Sequence, residues 1–154
     1  MDSASDDILE RFSDRIFHNP DQETNDLTKA AQWAVSHGIE SITILGATGL
    51  REDHTLGNIS LLAEYESLFD SVQMVTDSGV FISISQTMEC KSFCGQQVSL
   101  FSLNPTTMVA SKNLKYPLPK TFQSWWCGTL NESLSDSFTI ETNGCVIVFR
   151  NFSK

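Results

Sequence analysis

The sequence predicts an α/β unit with a parallel sheet followed by an all-β antiparallel sandwich, and three observations carry that expectation. Up to about residue 70, apolar residues recur at helical spacing between short extended runs. Beyond Ser71 the helical period stops and short runs alternate with period two. Turn signals, among them Asp77-Ser78-Gly79 and Asn143-Gly144, separate those runs. With 154 residues, 40% of them hydrophobic, the chain can fill the core of one domain or two small ones. The expected division is 1–70 and 71–154.

Taken in order, a stretch started by Ser5 and carrying Ile8, Leu9 and Phe12 predicts a first helix, and Arg15 to Phe17 a short extended segment. Leu27, Ala30, Ala31, Ala34 and Val35 then mark one helical face, with Thr24 or Asn25 to cap its start and Gly38 to end it. Ile42 to Leu45 is a β-branched run of the kind found in buried parallel strands, so this half predicts part of a Rossmann-like sheet. After Gly46 and Gly49 comes a helix with Leu56, Ile59, Leu62 and Ala63 inward. VQMV, VFISIS and QVSLFSL predict strands in the second half. SFTIET and CVIVF, joined by Asn143-Gly144, predict a two-residue type I′ hairpin.

Charge excludes some functions. Ten Lys and Arg against nineteen Asp and Glu give a net charge of -9 and a pI near 4.6, the wrong sign for neutralising many phosphates directly. No nucleic-acid partner is expected; an acidic chain that handles phosphate would use a divalent cation instead. No apolar run approaches the ~20 residues of a membrane span, and the acidic opening MDSASDD is unlike a secretory signal. The expectation is a cytoplasmic chain without a membrane partner. Cys90, Cys94, Cys127 and Cys145 lack the paired spacing of a zinc site and are expected to be reduced.

Two strand-to-helix turns could carry chemistry, since open α/β sheets bind ligands at such turns. The first is Asp21-Gln22-Glu23-Thr24-Asn25-Asp26, denser in polar groups than one helix cap requires, although a carboxylate at a helix start also has the macrodipole as its reason. The second runs from Gly46 to His54. Its glycines would let backbone approach a phosphate, while Arg51 offers a cation for phosphate oxygens and Asp53 a carboxylate for a metal; a surface ion pair is the alternative. The turn is neither a dinucleotide fingerprint nor a Walker A loop. No G-x-S-x-G elbow is present, which removes the serine-hydrolase reading.

DQETNDLTKA from Asp21, followed by ILGATGLREDHTLGNISLL from Ile44 to Leu62, resembles thiamine pyrophosphokinase over nearly the whole chain. The resemblance implies an N-terminal α/β catalytic domain, a thiamine-binding β-sandwich, and transfer of pyrophosphate from ATP to thiamine with AMP released. Met1-Asp2-Ser3 resembles the end of the family's G-D-x-D-S motif, which implies that this chain lacks the segment before it. By the resemblance, Asp2, Asp26 and Asp53 would hold magnesium and the polyphosphate, with Asp26, Asp53 and Arg51 as the catalytic set. Gln22, Asn25, Arg51, Gly46 and Gly49 would bind the nucleotide.

Asn113-Leu114-Lys115-Tyr116 looks like the family's G-L-K-W stretch, and Gly128 to Glu132 like its G-x-S-N-E stretch near the thiamine pocket, with Leu130 in place of serine. Asn131, Thr129 and Trp126 are the substrate-side candidates. Trp125 or Trp126, but not both if they lie in a strand, could face the thiamine rings. The family implies a homodimer with the site between subunits. The rival expectations are a thiamine- or nucleotide-binding module without turnover, and a structural interaction domain.

Overall fold

The computed structural model describes residues 6–17, 19–21 and 23–152. The chain divides into two compact units, Met1–Gly38 and Ile39–Lys154. In the first, α1 (Asp6–Arg11) has two acids in its first turn and Arg11 in its last, the order the helix dipole favours. The segment from Arg15 to Phe17 is not the predicted extended strand. The chain turns at 12–15, with the Arg15 N–H bonded to the Phe12 carbonyl at 2.8 Å. Helix α2 (Asp26–Ser36) is as predicted: the Asn25 side chain accepts from the Thr28 N–H at 2.8 Å, Ala31 and Ala34 are buried, and Gly38 leaves with a φ of 71°.

The second unit is a two-sheet structure. Its strands are β1 (Ser41–Leu45), β2 (Ser71–Val75), β3 (Gly79–Ile84), β4 (Met88–Lys91), β5 (Gln97–Phe101), β6 (Val109–Lys112), β7 (Gly128–Glu132), β8 (Ser137–Thr142) and β9 (Val146–Asn151), with helix α3 (Glu52–Tyr65) between β1 and β2. A six-stranded sheet runs β1-β2-β3-β9-β5-β7 and a three-stranded sheet runs β4-β8-β6. Ile84, Val98, Leu100, Val146 and Val148 from the larger sheet pack with Cys90, Val109, Phe138 and Ile140 from the smaller, and Phe122 joins them. Each such side chain contributes on the order of 1.5–3 kcal/mol. Leu62 and Tyr65 bury the inner side of α3.

Four expectations change. The sheet is mixed and mostly antiparallel, with β1–β2 the single parallel pair among the described strands, so the Rossmann-like description is not what the fold displays. The reason is that β2 pairs with β1 on one side and β3 on the other, which joins the β1-α3-β2 crossover to the antiparallel strands in one sheet. Strand β1 is an edge, and its burial alternates: Ile44 is buried while Leu45 is 71% exposed. In α3, Leu56 is exposed instead of inward.

The fourth change is at Asn143-Gly144. Strands β8 and β9 lie in different sheets, so this connection is a corner between layers and not a hairpin. Neither residue has a positive φ. Asn143 instead accepts from the Met108 N–H at 2.9 Å, and a Cβ on Gly144 would meet Thr107 Oγ1 at 2.9 Å. The glycine is there because another chain segment passes close by.

Candidate functional site

The turn from β1 into α3 is built as the sequence requires. Gly46 and Gly49 both take left-handed conformations, with φ of 68° and 96°, which residues with a side chain rarely adopt. The Asn58 amide donates to the Ala47 carbonyl at 2.8 Å and ties the turn to the helix it feeds. Arg51 occupies the N-cap position with extended backbone and makes no side-chain cap bond. Its guanidinium reaches Asp53 twice, Nε to Oδ1 at 3.1 Å and Nη2 to Oδ2 at 2.6 Å, a bidentate pair on the surface. The Arg51 guanidinium, helped by the His54 N–H at 2.9 Å, holds the Asp53 carboxyl below the ordinary aspartate range.

In the other unit, the turn before α2 is also closed by its own polar groups. Asp21 accepts from the Glu23 N–H at 2.9 Å, and the Thr24 hydroxyl bond does most to lower its pKa. Asn25 serves as the N-cap, and Asp26 stands 3.9 Å from Lys29 Nζ in the first turn of α2. A cleft of 270 Å³ in this unit is lined by Arg15, Asp26, Lys29 and Trp33 among others. Asp2 and Gln22 lie outside the described residues. Among the described residues, no three His, Cys, Asp or Glu side chains gather as a metal site. Asp26 and Asp53 are nevertheless exposed carboxylates, the hard-oxygen donors that suit magnesium in kind, each now facing a cation that a metal would displace.

At the far edge of the larger sheet, β7 carries Thr129, Leu130 and Asn131. Leu130 is left-handed, with a φ of 58°, and 81% exposed; its N–H donates to Ser99 Oγ where the β5–β7 register shifts. Trp125 and Trp126 precede β7 in a turn and both are exposed, so strand alternation does not choose between them and neither is a core residue. Trp125 lies 5.5 Å from Phe101, centroid to centroid, and both line a mostly apolar hollow of 110 Å³ together with Leu56, Ile59 and Ser60 of α3. Asn131 is 2% exposed, and its amide is engaged with Tyr116, fifteen residues earlier. Sequence reading did not find that contact, because β7 (GTLNE) carries no period-two pattern that would mark Asn131 as inward.

No helix among the described residues is long and apolar enough to cross a membrane. Two sequence models match the chain in succession: "Thiamin pyrophosphokinase, catalytic domain" over residues 1–76 and "Thiamin pyrophosphokinase, substrate-binding domain" over 79–149. The chain is 28% identical over 121 residues to thiamin pyrophosphokinase 1 of Caenorhabditis elegans, a match that covers 68% of this chain and 47% of that relative, about half its length. Among solved structures, thiamine pyrophosphokinase from Bacillus subtilis superposes with a TM-score of 0.80 at 22% identity, covering 100% of this chain and 77% of that one. Thiamin pyrophosphokinase from Candida albicans gives 0.84 at 16%, covering 99% and 71%. These two likenesses show the fold.

Proposed function

We propose, from the premise that this chain belongs to the thiamin pyrophosphokinase family, that it transfers the terminal pyrophosphate of ATP to the hydroxyl of thiamine. The thiamine oxygen attacks the β-phosphorus in line, the bond between the β-phosphorus and the oxygen bridging to the α-phosphate breaks, AMP leaves with that oxygen, and the proton of the thiamine hydroxyl is released to solvent. The observation that carries the reading is the succession of a catalytic and a substrate-binding match along one chain, in that order.

Transfer of this kind asks the protein for positioning and charge neutralisation more than for a covalent nucleophile. Arg51, beside two left-handed glycines at the start of a helix, is suited to phosphate oxygens. In this reading Asp26, Asp53 and Arg51 are the catalytic set, Gln22, Asn25, Gly46 and Gly49 complete the nucleotide side, and Asp2, Asp26 and Asp53 hold the metal. Magnesium, when bound, supplies charge for the polyphosphate oxygens. Thr129, Trp126 and Asn131 serve the thiamine side, with residues 1–70 as the catalytic part and 71–154 as the thiamine-binding part. The active form is a cytoplasmic homodimer with its site between subunits.

One observation favours a second reading, a binding module without turnover: Arg51 and Asp53 satisfy one another's hydrogen bonds. Calorimetry with thiamine, alone and with magnesium-ATP, followed by an assay for AMP, separates the two. Thiamine binding with AMP release supports the enzyme. Binding without AMP supports the module, and no binding of either ligand rejects both.

A further inference from the structure

Among the described residues, Asn131 combines near-complete burial with a side chain committed to a distant backbone. Its Oδ1 accepts from the Tyr116 N–H at 3.0 Å and its Nδ2 donates to the Tyr116 carbonyl at 2.8 Å, so one amide grips both polar groups of one residue. Oδ1 also accepts from the Glu132 N–H at 2.9 Å. The segment it grips runs antiparallel to the end of β7: Leu134 N–H bonds to the Asn113 carbonyl and Lys115 N–H to the Glu132 carbonyl, both at 2.9 Å. Beyond Lys115 the backbone rungs give way to this side chain. Leu130 is left-handed on one side and Pro117, which has no N–H, follows on the other. Lys115 Nζ stands 3.1 Å from Glu132 and 5.6 Å from the Tyr116 ring centroid.

Tyr116 itself is 53% exposed. A buried amide is thus used to fix the backbone of a residue whose ring contributes little to the core. We propose that Asn131 is a positioning residue that holds the Tyr116 ring at the acceptor surface, acting on the substrate through Tyr116 and not by its own contact. This rests on the reading that the matched substrate-binding segment receives thiamine.

The test is steady-state kinetics of the full chain with magnesium-ATP and thiamine for Asn131→Ala, Tyr116→Ala and the double variant. Asn131→Ala raises the thiamine KM about tenfold, the factor set by one ordinary hydrogen bond, and leaves kcat and the ATP KM within about twofold. In the Tyr116→Ala background the same change adds nothing, because residues that act as a unit are not additive. An unchanged KM, or an equal further rise in that background, overturns the proposal. Asn131→Asp, which keeps the size and the acceptor bonds but cannot donate to the Tyr116 carbonyl, gives the same readout if the alanine variant does not fold. Hydrogen exchange at the Tyr116 amide reads the grip without substrate: faster exchange in either variant upholds it, and unchanged exchange overturns it. If the wild-type chain neither binds nor turns over thiamine, the functional reading fails, and the exchange result still decides whether Asn131 holds Tyr116.

Discussion

The turn that opens α3 and the edge formed by β7 with residues 113–116 both display polar groups at a strand end, and they hold them in opposite ways. At the turn, Arg51 and Asp53 are exposed and bond to each other, so little resists their exchange of partners. At the edge, the Asn131 amide is buried and all its bonds go to backbone, so opening it strands polar groups away from water. The difference teaches where adaptability is kept. In the proposed reading, the groups that would follow a changing phosphate charge stay at the surface, while the ring that would meet the acceptor is fixed by a buried hydrogen-bond set.

The largest effect comes from breaking the fixed side. A Cβ on Gly128, at the start of β7, would meet Phe122 Cζ at 2.6 Å and the Leu100 carbonyl oxygen at 2.8 Å. Gly128→Ala is expected to lower unfolding stability by about 3 kcal/mol in a denaturant titration, since neither neighbour can step aside cheaply. On the adaptable side the effect falls on turnover instead of stability: Asp53→Asn lowers turnover at least about a hundredfold, while the melting temperature stays within about 2 °C. Asn25→Ala removes the α2 cap and costs about 1 kcal/mol, read by the same titration. Leu130→Asn, which places a residue tolerant of the left-handed region at a φ of 58°, stabilises the chain by up to about 1 kcal/mol.

The smallest effect is in pH. Because Arg51 lowers the Asp53 pKa, the pair's contribution is complete above the unfolded aspartate pKa and is lost as pH falls through the lower folded value. Carboxyl chemical shifts in an NMR titration are expected to show Asp53 titrating below ordinary aspartates, and Arg51→Ala to bring it back toward them.

What was legible in the sequence follows the range of the interactions. The α2 cap, the Gly38 stop and the two glycines before α3 are set by neighbours a few residues away, and each reads directly from residue type. Asn143-Gly144 has the local chemistry of a hairpin, yet the pairing of β9 with β3 and β5 instead of β8 is decided by residues tens of positions apart. The parallel strand of the first half was legible, since β1 does pair parallel with β2, but the antiparallel partner of β2 beyond β1 lies in the other half and was not. Arg51 and Asp53 were visible because two positions separate them. Asn131 was noticed as a polar residue in a motif, but its partner Tyr116 required the fold.

The central claim is tested most directly by incubating the chain with magnesium-ATP and thiamine and quantifying AMP and thiamine diphosphate together, with Asp53→Asn alongside. The account predicts the two products in equal amounts from the wild-type chain, and the loss of both in the variant while thiamine binding by calorimetry persists. AMP without thiamine diphosphate, or an Asp53→Asn variant that turns over at the wild-type rate, would contradict it.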